Sequence, residues 1–108
     1  MIYLTKRAAQ DLALGALSAE FDFDESCRLA TVYMHASVSI SEEVTVTMVS
    51  ASGSTFDTVI DAKTLRSEQD YVYAAVGDVA LNQGDKIKVA VTNANTTGKV
   101  YVTVKVAK

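Results

Sequence analysis

The sequence VYVTVKV, residues 100–106, decides the fold, because its four valines alternate with Tyr101, Thr103 and Lys105. Successive side chains of a β-strand point to opposite sides of its sheet, so the valines share one side and the other three residues share the second. A period of two is typical of an antiparallel strand with one buried and one exposed side. The C-terminal segment is therefore predicted to be such a strand.

The same alternation recurs through most of the chain. Clear runs lie at residues 28–36, 43–50 and 86–92, weaker runs at residues 17–24, 55–61 and 69–75, and a short strand is expected at 79–81. Valine and threonine, whose branched side chains favour strands, supply 15 and 11 of the 108 residues. Seven or eight short antiparallel strands predict an all-β fold, a single β-sandwich of jelly-roll type.

Turn residues separate these runs. Gly53 follows the run at residues 43–50 and can supply the positive φ that a tight turn needs. Residues 82–85, Asn-Gln-Gly-Asp, predict a tight connection into the run at 86–92. Residues 93–98, an Asn-rich stretch that ends in glycine, predict a hairpin loop into the last strand.

Residues 1–16 do not follow the alternation. Thr5 could cap a short helix over residues 6–14, or the whole segment could be an extended arm. We therefore divide the chain into an N-terminal arm or short helix, residues 1–16, and a sandwich domain, residues 17–108. The segment opens with four apolar residues, Met1, Ile2, Tyr3 and Leu4. Exposing them to water is costly, so they should pack on their own sandwich or on a neighbouring subunit.

Composition excludes several classes of protein. One Cys cannot form an internal disulfide, and one Cys with one His cannot complete a structural zinc site within one chain. No apolar run approaches the roughly 20 residues of a membrane-spanning helix, and the N-terminus is not typical of a signal peptide. The net charge is −3 without a basic block, which argues against nucleic acid as a partner. We expect a protein made in the cytoplasm that binds neither membranes nor cofactors.

Two single residues could carry chemistry. His35 is the only histidine, and the alternation places it on the polar side of its strand beside Tyr33. No Ser or Cys motif surrounds it, so an exposed strand residue is the better interpretation than a catalytic base. Cys27 begins the same strand, where a small buried residue is expected and no base lies nearby. The sequence therefore predicts no catalytic residue and no metal site.

The polar side of the run at residues 17–24 is acidic. Glu20, Asp22 and Asp24 should project from one side of the strand, about 7 Å apart. Calcium is better served by loops than by a straight strand, and the sequence does not match a calcium-binding loop. The residues are predicted to form either a solvated acidic surface or a docking surface for a basic partner.

Tyrosines provide an alternative site. Tyr33, Tyr73 and Tyr101 could form aromatic platforms for a sugar, although strand tyrosines also serve as cross-strand packing partners. A hydrolase would need a paired set of carboxylates in a concave site, and no sequence feature points to one.

Several short motifs, in order, resemble a family of small virion-associated proteins of tailed bacteriophages and prophages. They are LATVYMH (29–35), SEEVTVT (41–47), FDTVI (56–60), LNQGDKIKV (81–89) and TNAN (92–95). The resemblance covers the region from about residue 17 to residue 105, about four fifths of the chain, and leaves residues 1–16 outside. The resemblance implies a non-enzymatic structural component of a phage particle, such as a capsid decoration or cement protein, without catalytic residues.

We therefore expect a virion protein that binds capsid or tail subunits, forms a homo-oligomer, and is made in the host cytoplasm. The expected contact residues are Met1, Ile2, Tyr3, Leu4, Glu20, Asp22 and Asp24. The alternative is a carbohydrate-binding module that uses Tyr33, Tyr73 and Tyr101.

Overall fold

The computed structural model describes residues 2–75 and 79–108 and contains nine strands within them. A single 3₁₀ turn, Ser54–Phe56, lies between the fourth and fifth strands. The strands are Tyr3–Asp11 (β1), Leu17–Asp22 (β2), Cys27–Ile40 (β3), Glu43–Val49 (β4), Thr58–Thr64 (β5), Glu68–Ala74 (β6), Ala80–Leu81 (β7), Lys86–Val91 (β8) and Lys99–Ala107 (β9). All of the strands expected from the alternation are present, and β1 is added to them.

The strands form two antiparallel sheets that pack face to face, which confirms the predicted β-sandwich. Sheet A has the order β1-β9-β3-β6, with β7 paired to the start of β3, and sheet B has the order β2-β8-β4-β5. The pairing is nested along the chain, because β1 pairs with β9, β2 with β8, β3 with β6 and β4 with β5. The jelly-roll type expected from the sequence stays a prediction.

The core lies between the sheets and follows the alternation. The four valines of β9 at residues 100, 102, 104 and 106 are at most 1% exposed. They meet equally buried residues of sheet B, such as Val46 and Val89. Burying a side chain of this size contributes about 1.5–3 kcal/mol, so the inner side of each strand supplies most of the stability of the fold.

The expectation of a helix over residues 6–14 is wrong. Residues Tyr3–Asp11 form the edge strand β1, which pairs with β9 without interruption from Tyr3↔Ala107 to Asp11↔Lys99. Leu4 and Ala8 face the core, and Leu12, which follows the strand, is fully buried. A long, exposed partner edge on β9 stabilises this segment as a strand more than the helix propensity of its alanines stabilises a helix.

The N-terminal segment therefore belongs to the sandwich of its own chain. Of the two outcomes left open by the sequence, packing on its own subunit is the one observed. Lys108 N–H at the other end of the chain donates to the Ile2 carbonyl at 2.8 Å, so the terminal strands extend their ladder to the last residue. Residue 1 lies outside the described residues.

The prediction that residues 93–98 form a hairpin loop is also wrong. The strand before it, β8, belongs to sheet B, and the strand after it, β9, belongs to sheet A. The loop therefore crosses from one sheet to the other instead of joining two paired strands. Gly98 ends the crossing with a φ of 89°, and a side chain there would lie 3.0 Å from Val38 Cγ2. Glycine is thus required both by the backbone and by the space available.

Candidate binding face

The outward side of sheet A is the most aromatic surface of the sandwich, and we call it the tyrosine face. Its side chains come from β1, β9, β3 and β6, whose inward-pointing neighbours form the core. Directly paired residues form rows across the four strands, and one central row contains Arg7, Thr103, Tyr33 and Val72. The next row contains Ala9, Tyr101, His35 and Asp70.

Tyr33 and Tyr101 are neighbours on this face. Tyr33 lies opposite Thr103, and Tyr101 is two residues from Thr103 on the same strand, so the two tyrosines are diagonal partners. Diagonal partners in a sheet have Cα atoms about 7–8 Å apart, within reach of aromatic rings. Their exposed fractions are 43% and 47%, and that of Val72 next to Tyr33 is 59%. Three large side chains therefore form one exposed apolar patch on central and edge strands of a rigid sheet.

His35 lies directly opposite Tyr101, two residues after Tyr33 on β3, and has a defined partner. Its Nδ1 lies 2.7 Å from Asp70 Oδ1 across the β3–β6 pairing, and both side chains are exposed. The prediction that His35 lies on the polar side of its strand beside Tyr33 is confirmed. The hydrogen bond fixes the imidazole beside Tyr101, so the patch combines aromatic surface with a fixed polar group.

Tyr73 does not join the other two tyrosines. It pairs with Val32 and points to the inner side of β6, where it packs against the core. It lines a cavity of about 410 Å³ at the side of the sandwich, together with apolar residues such as Met48 and Ile60. The expectation of three tyrosines in one glycan site is therefore wrong for Tyr73, because adjacent residues of a strand face opposite sides and Val72 takes the outward position.

The expected contact residues at the N-terminus divide between surface and core. Ile2 and Tyr3 are exposed, with exposed fractions of 67% and 49%, whereas Leu4 is partly buried and packs on the core. Tyr3 lies at one end of the tyrosine face, where the Lys105 Nζ sits 4.4 Å from the centre of its ring. Tyr3 thus extends the tyrosine face, Ile2 is exposed beside it in sequence, and Leu4 packs on the core.

The acidic residues lie on the other sheet and face lysines. Glu20 is directly opposite Lys88, and Asp22 is directly opposite Lys86 on the outward side of sheet B. Opposite charges at directly paired positions stabilise a sheet by a few tenths of a kcal/mol, up to about 1 kcal/mol. Lys6 of β1 also reaches Asp22, with 3.6 Å between the charged atoms.

Asp24 follows β2 and is exposed. Glu20, Asp22 and Asp24 are therefore all at the surface, as the alternation predicted. The first two, however, lie at positions paired with lysines, and Asp22 forms an ion pair with Lys6. Acidic and basic side chains alternate on this surface of sheet B, so it offers a basic partner less than the sequence suggested.

A buried carboxylate connects two loops by hydrogen bonds at one end of the sandwich. It was not identified from the sequence. Glu42, between β3 and β4, is 3% exposed. Its Oε1 accepts hydrogen bonds from Thr92 Oγ1 at 2.7 Å and Ala94 N–H at 2.9 Å, and its Oε2 accepts one from Asn95 N–H at 2.8 Å. Burial alone would raise the pKa of Glu42, but hydrogen bonds from Asn95, Thr92 and Ala94 to the ionised form outweigh burial and lower it.

A second buried carboxylate connects two loops by hydrogen bonds at the opposite end of the sandwich. Asp85, 7% exposed, accepts hydrogen bonds from Ala51 N–H and Asn82 N–H, both at 2.9 Å. It joins the turn before β8 to the loop after β4. The Asn-Gln-Gly-Asp motif predicted a turn at this position, but the partner at Ala51 is 34 residues away in sequence and is brought near only by the fold.

Two further titratable side chains, those of Cys27 and Tyr71, are buried. Cys27 is buried, as expected, and burial raises the pKa of its thiol against a smaller opposing effect of Lys108. Tyr71 donates its hydroxyl hydrogen to Asp61 Oδ2, and its burial together with that contact raises the pKa of the phenol. Within residues 2–75 and 79–108 no group of three or more His, Cys, Asp or Glu side chains could hold a metal ion. The same residues contain no helix long and apolar enough to cross a membrane.

Comparison with known proteins returns no match: no family model, curated protein or solved structure is similar to this chain at a significant level.

Proposed function

We propose that this chain is a non-enzymatic structural protein of a bacteriophage particle, a capsid decoration or cement protein, that binds neighbouring virion subunits through the tyrosine face. The exposed patch of Tyr33, Val72 and Tyr101 on the flat side of sheet A is the observation that carries the proposal. Large exposed apolar patches mark sites of protein association, and tyrosine is enriched in such interfaces.

Two further observations support it. The resemblance of the ordered motifs points to virion-associated proteins, and double-sheet jelly rolls, as we interpret this strand order, occur in viral capsid domains. Tyr3 lies at one end of the face and enlarges the contact area. The acidic residues of sheet B are not part of the proposed contact, because Glu20 and Asp22 already lie opposite lysines.

The mechanism is adhesion without chemistry. A rigid sheet presents the same side chains from every copy, and repeated copies on a symmetric particle convert weak contacts into stable attachment. A homo-oligomer such as a trimer or hexamer would match a symmetry axis of the particle. The protein would be made in the host cytoplasm and end in the virion.

A sedimentation experiment tests this function. Phage particles released by cells that carry this gene are separated on a density gradient, and the fractions are probed with an antibody against the protein. We expect to find the protein in the particle fractions. When purified protein is added to particles, the double variant Tyr33→Ala/Tyr101→Ala should fail to attach. The matched control is Lys88→Gln on sheet B, which should attach like the natural protein. Recovery only at the top of the gradient, away from particles, contradicts the proposal.

A second candidate function is carbohydrate binding. It is favoured by the arrangement of Tyr33 and Tyr101 around the hydrogen-bonded pair His35 and Asp70, because sugar sites combine aromatic surface with a few fixed polar groups. Lectin domains are also found among jelly-roll folds. Tyr73 takes no part in this site, because it faces the interior side of β6.

A further inference from the structure

One part of the tyrosine face combines aromatic rings with unpaired positive charge, and we call it the Thr103 patch. Thr103 lies at its centre on β9, with Arg7 directly opposite on β1 and Tyr33 directly opposite on β3. Tyr101 and Lys105 are two residues away on β9 itself and point to the same side. Four large side chains thus surround one small hydroxyl residue.

The positive charges of this patch are not balanced by carboxylates on the same face. Asp70 is hydrogen-bonded to His35, and Asp11 lies opposite Lys99 at the far end of β1. Arg7 makes no ion pair or side-chain hydrogen bond with the part of the chain that the structure describes, residues 2–75 and 79–108. The patch therefore concentrates cationic groups on a protein whose net charge is −3.

Lys105 strengthens this arrangement. Its Nζ lies over the ring of Tyr3, and this cation–π contact holds the side chain in place. Among the residues that the structure describes, the ammonium group has no carboxylate counter-ion. A guanidinium and an ammonium held on neighbouring strands can both approach one anionic group. The guanidinium of Arg7 can also form two parallel hydrogen bonds to a carboxylate, which an ammonium cannot do.

We propose that the Thr103 patch binds an acidic glycan, a short run of sugars that includes a carboxylate-bearing unit such as a uronic or sialic acid. Arg7 and Lys105 bind the carboxylate, Tyr33 and Tyr101 pack against sugar rings, and the Thr103 hydroxyl is free to form a hydrogen bond at the centre. The proposal deepens the second candidate function and rests on it, since it assigns the chemical class of the glycan.

The spacing of the patch fits an oligosaccharide. Arg7 and Tyr33 are two strand spacings apart, about 10 Å, and Tyr101 and Lys105 are separated by about 13 Å along the strand. This footprint matches the length of a few sugar units.

A glycan array tests the proposal. The array displays neutral glycans, uronic acid-containing glycans and sialylated glycans, and it is probed with the natural protein and with Arg7→Gln, Tyr101→Ala and Lys88→Gln. We expect preferential binding to acidic glycans that weakens as salt is raised. Removal of a charge-assisted hydrogen bond in Arg7→Gln should reduce binding about tenfold or more. Tyr101→Ala should reduce it similarly, and Lys88→Gln, on the opposite sheet, should not change it.

The outcomes separate this inference from the function on which it rests. Binding to neutral glycans that is lost in Tyr101→Ala but retained in Arg7→Gln would support the glycan function and overturn the acidic preference. Absence of binding to any glycan would overturn both, while leaving the sedimentation test of the virion function unaffected. Circular dichroism of each variant must match that of the natural protein, so that a loss of binding is not a loss of fold. If Arg7→Gln is unfolded, Arg7→Lys provides the second variant: it keeps the charge, loses the paired hydrogen bonds and should bind more weakly.

Discussion

The outward sides of the two sheets differ although the same alternation produces both. On sheet A the central rows carry Tyr33, Tyr101 and Val72, and within residues 2–75 and 79–108 Arg7 and Lys105 have no carboxylate partner. On sheet B the acidic residues of β2 lie opposite the lysines of β8, and Val59 is the exposed large apolar residue of the outward rows. Sheet B therefore sets opposite charges beside each other, whereas sheet A exposes the more aromatic surface.

This difference separates the residues that stabilise the fold from the residues of the proposed binding face. The valines of β9 and the buried carboxylate of Glu42 lie between or at the ends of the sheets and hold the fold together. The tyrosine face is exposed, and it is the surface that we propose binds a partner. The following predictions test this separation, from the largest expected change in stability to the smallest.

Glu42→Gln should cause the largest loss. The amide would bring N–H groups toward the Ala94 or Asn95 N–H donors, so at least one hydrogen bond to a charged acceptor is lost inside the protein. Such bonds are worth about 1.5–3 kcal/mol, and we expect the free energy of unfolding to fall by about 2–3 kcal/mol in urea denaturation. Glu43→Gln, at the next position but exposed, is the control and should change it by less than about 0.5 kcal/mol. Equal losses in the two variants would contradict the assignment.

Acid should produce a smaller loss through the same residue. The pKa of Glu42 is lower in the folded protein than its ordinary value of 4.5, so its ionised form contributes stability that is fully present above pH 4.5. That contribution is lost as the pH falls through the folded-state pKa. Urea midpoints of the natural protein and Glu42→Gln, measured from neutral pH downward, should therefore converge below about pH 4.5. A difference that stays constant with pH would show that the charge of Glu42 is not what stabilises the loop.

The sequence predicts strands that are half buried much better than it predicts the edges of the sandwich. In β9 every second residue is a buried valine, so the alternation alone identifies the strand. In β1 the inward positions are Leu4, Lys6, Ala8 and Gln10, of which only two are apolar, because an edge strand buries little. Its assignment depends on pairing with β9, nearly 100 residues later, and no local pattern records that contact.

The candidate site was likewise predictable only in part. Alternation placed Tyr33 and Tyr101 on exposed sides of their strands, and the structure brings them together. For Tyr73 the order Tyr-Val-Tyr gave no signal, because tyrosine and valine are both compatible with either side of a strand. The role of Glu42 required contacts about 50 residues away in sequence, and that of Arg7 required the β1–β9 register. Residues such as Glu42 and Arg7, whose roles depend on neighbours that are distant in sequence, are thus the ones that the sequence alone does not identify.

Matched charge reversals on the two faces give the smallest and most direct comparison. Lys88→Glu places a carboxylate opposite Glu20, and like charges at directly paired positions should reduce the free energy of unfolding by about 0.5–1 kcal/mol. Arg7→Glu lies opposite Thr103, where no acidic side chain is paired with it, and should change stability by less than about 0.5 kcal/mol. Both values come from urea denaturation at low salt, and added salt should reduce only the first loss. If Arg7→Glu proves the more destabilising, then the cations of the tyrosine face are part of the fold's own balance of charge, and the surplus that makes this face suitable for an anionic partner does not exist.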